Sequence, residues 1–461
     1  MLTEKRFNLM ELNSTITYKW KLCMILSLFS CLIILLYLNP NDQNLWYSPA
    51  KNSPLDVAEA PMSSTTIFEH PKPSMLSTIS PPAARASLKN KTTQLDDFTS
   101  NQDEIKEPKS TQLDNTEKPT MNIAEKKCNI FDGRWVYKPD KKPYYDSNTC
   151  PFIEEKMNCQ KNGRPDFEYE KWRWEAKDCN IPSFNGRDML ERLRNKRVIL
   201  VGDSLNRNMW ESLACLLYTS VPSSRVEVDA NGSDYKVLKA KDYDAIIEFY
   251  WSPFLIDFDK NHTSEKKVLV LDKLSPNSKQ WCGADVMVFN SGAWWTHKGK
   301  LKAWDLFQYK GQLLKKMSTE MAYDRAMKTW AKWIRKNIDR NKTTVFFRSI
   351  SAQHNGKQWC FNSTLPFMDD SFEKTFPKSL TNIIERLIEG MSKLQVRYLN
   401  ITKLSEYRID AHSSVYWSSW KWKIEANKRF ISSFADCIHW CLPGLPDAWN
   451  ELLYASLFLN N

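Results

Sequence analysis

Residues Arg197–Leu217, RVILVGDSLNRNMWESLACLL, give the strongest indication of the fold. Its opening residues, Val198–Val201, are β-branched or leucine, a run typical of a buried strand. Gly202 allows a tight turn, and from Leu205 apolar residues recur at helical spacing. Ser204 is therefore expected at the start of a helix, where backbone N–H groups and the helix dipole favour an oxyanion. A serine that only caps the helix would give the same pattern.

The chain of 461 residues is basic and long enough for one large domain plus further segments. Its formal net charge is +11, but the basic residues are spread along the sequence, which does not favour nucleic acid as the partner. The 19 tryptophans and 17 tyrosines are an unusual content. Such rings stack on the faces of sugars and also fill cores, and core packing is the expected role for most of them.

The first 127 residues are interpreted as a membrane anchor followed by a spacer. Leu22–Leu38 is almost wholly apolar and follows basic residues, so we expect a transmembrane signal-anchor, with a cytosolic tail at 1–21 and the rest of the chain in the lumen. A cleavable signal peptide is the alternative interpretation. Residues 39–127 are rich in Pro, Ser, Thr and charged residues, a composition that predicts a disordered luminal stem.

A luminal location predicts oxidised cysteines and glycosylation after the anchor. Nine of the 11 cysteines lie between Cys128 and Cys441, enough for four disulfides and one free thiol. No CxxC pair has a matching partner and the histidines are scattered, so we expect no metal site. The expected glycosylation sites are Asn90, Asn231, Asn261, Asn341, Asn362 and Asn400.

Two regions are expected after the stem. Residues 128–180 are rich in cysteine and aromatics with little periodicity, which predicts an irregular subdomain linked by disulfides. Residues 181–461 alternate strand-like and helix-like segments, which predicts an α/β domain with a largely parallel sheet covered on both faces by helices. The predicted strands are Val198–Val201, Ala245–Tyr250, Val268–Leu271, Val286–Asn290, Thr344–Ile350 and Val396–Asn400, and the predicted helices are Leu205–Leu217, Met321–Asn337 and Phe376–Leu394.

Near the C-terminus, Asp436 and His439 stand three residues apart in the segment DCIHWCLPGLPDAWN. On a helical turn this spacing places both side chains on one face, so that the carboxylate holds one imidazole nitrogen and leaves the other for a serine. The flanking Cys437 and Cys441 would fix the segment to other parts of the chain. A capping aspartate beside a half-buried histidine is the alternative, and for this motif alone it is the more common one.

The two motifs together resemble the SGNH/GDSL hydrolase-like fold. Their flanks are similar to the plant trichome-birefringence-like family of polysaccharide O-acetyltransferases, in the segments WRW at 172–174, GDSLNRN at 202–208 and DCIHWCLPGLPDAWNELLY at 436–454. NGRPDFEYEKWRW and NITKLSEYRIDAHSSV are most similar to the xylan-acetylating branch. The resemblance implies a three-layer α/β/α catalytic domain in the lumen, carried by a single-pass type II protein of the Golgi membrane.

The resemblance also implies the role of each catalytic residue. Ser204 is expected to be the nucleophile, His439 the general base and acid, and Asp436 the residue that orients His439. No bound cofactor is expected, and acetyl-CoA or a relayed acetyl group would be the co-substrate. The expected acceptor is a cell-wall polysaccharide, with xylan favoured over pectin and mannan. Association with other Golgi proteins of polysaccharide synthesis fits this assignment.

Six further residues are candidates for oxyanion or substrate binding. They are Gly202, Arg207, Asn208, Asn290, Trp294 and Trp295. Ordinary bonding on the helix surface is the alternative for Arg207 and Asn208, and burial is the alternative for the two tryptophans. The segment around His354 departs from the family pattern, which does not favour a substrate-side function for this histidine, and His412 is interpreted as structural.

The disulfide pairings come from the resemblance, since sequence alone does not determine connectivity. The expected pairs are Cys128–Cys179, Cys150–Cys215, Cys159–Cys441 and Cys360–Cys437, which leaves Cys282 as the free thiol. Two other functions remain open. An esterase that removes acetyl groups from the same polymers would use the same three side chains, and a non-enzymatic wall-polymer-binding protein would need none of them.

Overall fold

The computed structural model describes residues 128–374, 376–418 and 434–458. The predicted cytosolic tail, signal-anchor and stem, including Asn90, lie outside these ranges. Within the described ranges, no helix combines the length and the apolar character that a membrane crossing requires.

The secondary structure consists of fifteen described strands and seven described α-helices, joined by short 3-10 helices and loops. The strands are β1 Gly133–Tyr137, β2 Trp172–Ala176, β3 Arg197–Gly202, β4 Val226–Asp229, β5 Tyr235–Ala240, β6 Ala245–Trp251, β7 Ile256–Asp259, β8 Val268–Leu274, β9 Val286–Phe289, β10 Leu306–Tyr309, β11 Gln312–Leu314, β12 Thr344–Arg348, β13 Arg397–Leu399, β14 His412–Ser414 and β15 Asp436–Trp440. The helices are α1 Gly186–Arg192, α2 Ser204–Tyr218, α3 Ser278–Trp281, α4 Thr319–Asn337, α5 Lys378–Glu389, α6 Thr402–Glu406 and α7 Leu445–Phe458.

The largest sheet has seven strands in the order β13-β12-β9-β3-β6-β5-β4. The five strands from β13 to β6 are parallel, and β5 and β4 extend the sheet in antiparallel fashion. Strand β3, which leads into Ser204, lies at the centre, between β9 and β6. The predicted α/β domain with a largely parallel sheet is therefore confirmed.

Helices cover both faces of this sheet, because alternate residues of β3 point to opposite sides. Val198 and Leu200 belong to the core cluster that includes α2 and α7, whereas Ile199 and Val201 belong to the cluster that includes α4 and α5. Helix α4 shows how the sequence produces this layer, since its apolar residues recur at helical spacing and Ser318 caps its start. The domain thus has three layers, as expected.

Parts of the fold were not anticipated. The predicted strand at Val268–Leu271 exists, but it belongs to a separate four-stranded sheet with the order β11-β10-β8-β7. Helix α7, which packs on α2, was not predicted because its residues 445–455 are apolar or buried on nearly every side and show no amphipathic period.

The region from 128 to 180 is less irregular than its sequence suggested. Strands β1 and β2 form an antiparallel pair in which Trp135 lies opposite Trp174. The alternating tryptophans of WRW at 172–174 are the sequence pattern that could have predicted this strand, because residues two apart point to the same face of a strand. The expectation of an irregular subdomain is wrong for these two strands and holds for the loops and 3-10 helices between them.

Four disulfides tie this region to itself and to the rest of the domain. The pairs are Cys128–Cys179, Cys150–Cys215, Cys159–Cys441 and Cys360–Cys437, the same four that the family resemblance implied. Among the described cysteines, Cys282 is the free one, and it is exposed.

Candidate active site

The turn after β3 presents Ser204 as the first residue of α2, and Asp203 is the residue that caps the helix. The Asp203 carboxylate accepts a hydrogen bond from the backbone N–H of Leu205 at 3.0 Å. The alternative in which Ser204 serves as the cap is therefore wrong. The Ser204 hydroxyl is left free to bond elsewhere.

Ser204, His439 and Asp436 lie in one line of hydrogen bonds. His439 Nε2 is 2.7 Å from Ser204 Oγ, and His439 Nδ1 is 2.6 Å from Asp436 Oδ2. Because a carboxylate only accepts, Nδ1–H donates to Asp436 and Nε2 is left to accept the Ser204 proton. The side chains of His439 and Asp436 are 17% and 21% exposed, so the site opens to solvent on one side.

The electrostatics of this line favour an ionised Asp436. Burial alone raises the pKa of its carboxyl, but the His439 imidazole and two backbone N–H donors lower the pKa by more. The donors are the backbone N–H groups of Ile438 and His439, each 3.0 Å from Asp436 Oδ1. The carboxylate is thus fixed by three hydrogen bonds, and it can stabilise positive charge on His439 when the imidazole takes a proton.

The segment that carries His439 is a strand and not the helical turn that the spacing suggested. Asp436–Trp440 forms β15, which pairs with β14 in an irregular register: His412 lies opposite Trp440 and Ser414 lies opposite Asp436. On a regular strand, residues three apart point to opposite faces. The irregularity bends β15, and the N–H bonds to Asp436 close the bend, so both side chains reach the same side.

Asn208 holds this bent strand against α2. Its Oδ1 accepts from the backbone N–H of Trp440 at 3.0 Å, and its Nδ2 donates to the Trp440 carbonyl at 3.2 Å. Asn208 is fully buried, and it lies one turn beyond Ser204 on α2. It is therefore a positioning residue that sets the distance between Ser204 and His439, and its predicted role in binding substrate or oxyanion stays a prediction.

Two buried histidines support the other side of the strand. His412 Nδ1 lies 2.9 Å from the His439 carbonyl, its Nε2 lies 2.7 Å from His354 Nδ1, and its ring stacks on Trp440. Burial lowers the pKa of both, to about 4 for His354 and well below the ordinary value for His412. Neither histidine contacts Ser204, and both brace the backbone behind His439.

Gly202 and Asn290 lie directly beneath the nucleophile. Asn290 Nδ2 donates to Asp203 Oδ1 at 2.8 Å, and Asn290 Oδ1 accepts from the Asp203 backbone N–H at 3.2 Å. The amide nitrogen carries a second hydrogen, so Asn290 stays a candidate donor to an oxyanion on Ser204. Gly202 is required for this approach, because a Cβ atom there would lie 1.7 Å from Asn290 Oδ1.

The remaining candidates have different environments. Trp295 is 1% exposed and its indole N–H donates to Ser291 Oγ, so the prediction that it stacks on a sugar is wrong. Trp294 is only partly buried, in edge contact with Trp251. Arg207 is 7% exposed, and its guanidinium pairs at 3.2 Å with Glu154, a carboxylate that Lys156 and Lys236 also contact. Its predicted role in binding stays a prediction.

Sequence reasoning missed the support around the three side chains. It named Asn208 for another role, and it assigned no partner to His412, Trp440 or Trp251. Trp251 is the last residue of β6 and lies opposite Gly202 in the sheet, which places it at the same carboxyl edge as the nucleophile. No local pattern signalled these roles, because each depends on a contact with a distant segment.

The described residues contain no group of three His, Cys, Asp or Glu side chains arranged to hold a metal ion. The arrangement at Ser204 is suited to acyl transfer, in which a hydroxyl is activated by an imidazole whose tautomer is fixed by a carboxylate.

Comparison with known proteins gives two family matches. Residues 181–456 match PC-Esterase, described as a GDSL/SGNH-like acyl-esterase family found in Pmr5 and Cas1p, and residues 126–180 match the PMR5 N-terminal domain. The triad residues and the turn after β3 fall in the first match, and the β1–β2 pair falls in the second.

Individual relatives extend the similarity across both regions. Protein trichome birefringence of Arabidopsis thaliana is 41% identical over 350 residues, which cover 72% of this chain and 57% of the relative. Protein trichome birefringence-like 3 of the same plant is 39% identical, over 72% of this chain and 79% of the relative. Probable xylan O-acetyltransferase 10 of Oryza sativa subsp. japonica is 39% identical, over 72% and 78%.

This chain thus spans little more than half the length of the first of these relatives and more than three quarters of the other two. The match to the family model covers more than half of this chain and includes Ser204, Asp436 and His439. The sequence identity, the α/β/α layers and the turn after β3 agree with one another. The chain therefore belongs to the PC-esterase family, together with the plant trichome birefringence-like proteins.

Proposed function

We propose that this protein is an O-acetyltransferase that moves acetyl groups onto hydroxyls of a cell-wall polysaccharide, with xylan as the first candidate. The observation that carries the proposal is the unbroken contact from Asp436 through His439 to Ser204, at 2.6 and 2.7 Å. The similarity to a probable xylan O-acetyltransferase supports the choice of acceptor.

The first half of the reaction forms an acetyl-enzyme. Ser204 Oγ attacks the carbonyl carbon of the acetyl donor while His439 Nε2 takes the hydroxyl proton. The bond between the acetyl group and its carrier breaks, and the carrier leaves with the proton from His439. The donor is acetyl-CoA or a relayed acetyl group, and no resident cofactor is required.

The second half transfers the acetyl group to the polymer. A sugar hydroxyl gives its proton to His439 Nε2 and its oxygen attacks the ester carbonyl, after which the bond to Ser204 Oγ breaks and Ser204 regains a proton. In both halves, negative charge develops on the carbonyl oxygen beside the N-terminus of α2. The Ser204 N–H and the Asn290 amide are the candidate donors to it.

The proposal extends to the location of the protein. The uncharged run Leu22–Leu38, flanked by basic residues on its N-terminal side, supports a signal-anchor that places the catalytic domain in the Golgi lumen. Four disulfides in the described domain fit an oxidising compartment. Glycosylation of the six sequons beyond the anchor belongs to the same proposal.

The test uses the full-length protein in detergent with acetyl-CoA and deacetylated xylan, and it measures new acetyl esters by NMR. Ser204→Ala is expected to retain its fold and to lower transfer by a factor on the order of 10³ or more. Ser224→Ala, at an exposed serine outside the site, serves as the matched control. Equal transfer by wild type and Ser204→Ala would refute the proposal.

The family description as acyl-esterases favours a second candidate, an acetyl esterase in which water replaces the sugar hydroxyl. Incubation of the same protein with acetylated xylan separates the two. Release of acetate that depends on Ser204, without any transfer to xylan when a donor is supplied, would select the esterase.

A further inference from the structure

A cavity of about 820 Å³ is lined by residues that include Thr219, at the end of α2 opposite Ser204, and Pro443, four residues after His439. Thr219, which follows the last residue of α2, is part of its wall, whereas Ser204 is the first residue of that helix. Fifteen helical residues at 1.5 Å each separate the two ends by about 22 Å. None of the three triad residues lines this cavity, which we name the distal groove.

The lining of the distal groove combines an aromatic surface with polar groups of both signs. Phe167 is 54% exposed, and both Phe167 and Tyr144 line the groove. Lys142, Asp146 and Glu170 also line the groove. An exposed phenylalanine of this size at the edge of a polar cavity is a surface on which a flat apolar ligand face can pack.

Two of the lysines that line the groove have partners in the protein. Lys171 pairs with Glu168 at 2.7 Å, and Lys141 donates to the Trp172 carbonyl at 2.8 Å. Burial raises the pKa of Glu170 to about 7, so this carboxyl is partly protonated near neutral pH and can donate as well as accept. A site for a strong anion or cation would be lined by one sign of charge, which is not the case here.

The groove is held rigidly and does not need to form on binding. Cys150–Cys215 links one wall to α2, and Cys159–Cys441 links the other to the segment after His439. The Tyr144 hydroxyl donates to Glu451 at 2.5 Å, on helix α7. Its volume is within the range of about 300–1,000 Å³ of pre-formed ligand sites.

We propose that the distal groove binds a second segment of the polysaccharide acceptor, in addition to the segment at Ser204. A sugar ring has an apolar face that can pack on Phe167. Its uncharged hydroxyls can form hydrogen bonds with the lysine, aspartate and glutamate side chains of the groove. This inference rests on the proposed function for the identity of the polymer. Two sites on one rigid domain raise the effective concentration of the chain at the second site once the first is bound.

The first measurement is binding without turnover. Full-length Ser204→Ala protein is titrated with xylohexaose by calorimetry, with and without Phe167→Ala or Lys142→Ala. Each of these added substitutions is expected to weaken the binding of xylohexaose at least fivefold. Leu313→Ala and Lys332→Ala, at exposed positions on β11 and α4, are the matched controls and are expected to leave binding unchanged.

The second measurement compares a long and a short acceptor. For Phe167→Ala, the ratio of kcat/KM on polymeric xylan to kcat/KM on xylotriose is expected to fall about tenfold, because a trimer cannot reach both sites. Lys142→Ala is expected to lower the same ratio, and Lys142 is an exposed side chain whose loss should not affect folding. The test therefore remains possible even if Phe167→Ala fails to fold.

The outcomes separate the two proposals. Unchanged xylohexaose affinity in both groove variants overturns the distal groove, even if transfer depends on Ser204. Binding that is lost with Phe167→Ala supports the groove, even if the wild type transfers no acetyl. Tight, salt-sensitive binding of oligogalacturonide with none of xylohexaose would also overturn the proposal, because it would identify a polyanion site.

Discussion

At the scale of single residues, the reactive side chains can bond to one another because neighbouring residues form the hydrogen bonds that the backbone needs. Asp203 caps α2, so Ser204 keeps its hydroxyl for His439. Asn208 pairs with both backbone groups of Trp440, so the strand beside His439 is held in place without occupying the imidazole. The catalytic geometry thus depends on residues that need not touch the substrate.

Replacing Asn208 is therefore expected to slow the reaction. Asn208→Ala leaves the N–H and C=O of Trp440 unpaired in a buried position, which costs about 2 kcal/mol of folding free energy. A shift of His439 by about 1 Å is expected to lower kcat roughly 10²-fold with little change in KM. Steady-state kinetics and the pH profile of kcat check this.

The matched control is Asn337→Ala, whose amide donates to the Trp333 carbonyl on the exposed surface of α4. It is expected to retain wild-type kcat. If Asn208→Ala does so as well, the positioning role is wrong.

A second residue-scale feature is the acid Glu211, two turns beyond Ser204 on α2 and fully buried. Burial, with repulsion from Glu154, raises the pKa of its carboxyl to about 8 against the attraction of Arg207 and Lys236. In the described part of the protein, Glu211 Oε1 has no hydrogen-bond partner. The folded chain therefore holds a proton on Glu211 that the unfolded chain loses near pH 4.5.

This difference predicts a pH dependence of stability. Because the pKa of Glu211 is higher in the folded state, its contribution to the free energy of unfolding is complete below pH 4.5. This contribution is lost as the pH rises to about 8. One proton corresponds to a slope of about 1.4 kcal/mol per pH unit. Between pH 6.5 and 8, the fall in the free energy of unfolding with pH is expected to be less steep in Glu211→Gln, by up to this slope. Urea unfolding measures it.

The chosen interval avoids His354 and His412, whose lowered pKa values reduce stability only as pH falls below about 6.5. Glu227→Gln, at an exposed acid paired with Lys239, is the control. An unchanged slope in Glu211→Gln would contradict the assignment of the proton to this residue.

At the scale of elements, the unit that makes the site is β3, its turn and α2, packed against the end of β9. The turn fits only because Gly202 has no side chain where the Asn290 amide approaches. The second element is the bent β15, which returns to this turn from more than two hundred residues away. The site therefore lies where a local unit meets a distant strand.

Gly202→Ala tests the close approach of these elements. The added Cβ would meet Asn290 Oδ1 at 1.7 Å and the Asn290 carbonyl oxygen at 2.8 Å, so the end of β9 must move. We expect a loss of about 1–3 kcal/mol in stability and a larger relative loss of kcat. Gly390→Ala, whose added Cβ has its nearest atoms at 3.5 Å, is the control and should change neither quantity. Full activity in Gly202→Ala would count against Asn290 as an oxyanion donor.

At the scale of the whole molecule, disulfides connect the region before the α/β domain to the catalytic strand. Cys159–Cys441 joins residues 282 positions apart and ends two residues after His439. Cys128–Cys179 closes a loop of only 51 positions within the first region. The first region thus helps to hold the catalytic histidine in place.

Removing the longer link is expected to cost more stability and more activity. Chain entropy gives about 6 kcal/mol for Cys159–Cys441 and about 4 kcal/mol for Cys128–Cys179. The double change Cys159→Ser with Cys441→Ser should therefore lower both the free energy of unfolding and kcat, whereas Cys128→Ser with Cys179→Ser should lower mainly the former. Equal loss of kcat in the two would argue against the link through Cys441.

The elements that could be predicted from the sequence are those whose residues are neighbours along the chain. The strand before Ser204, the helix after it and the amphipathic helix α4 follow from local periods of apolar residues, and the number of disulfides follows from the cysteine count. Backbone preference and side-chain period act over a few residues, so these features need no knowledge of distant contacts.

The tertiary structure alone decided which distant groups meet. It bends β15 so that Asp436 and His439 share a side, gives the Asn208 amide to Trp440, and buries Trp295 while leaving Trp294 partly accessible. Each of these depends on packing between segments up to 232 residues apart. A local pattern carries no information about such a contact, because the free energy that fixes it comes from the partner segment and appears only when the chain has folded.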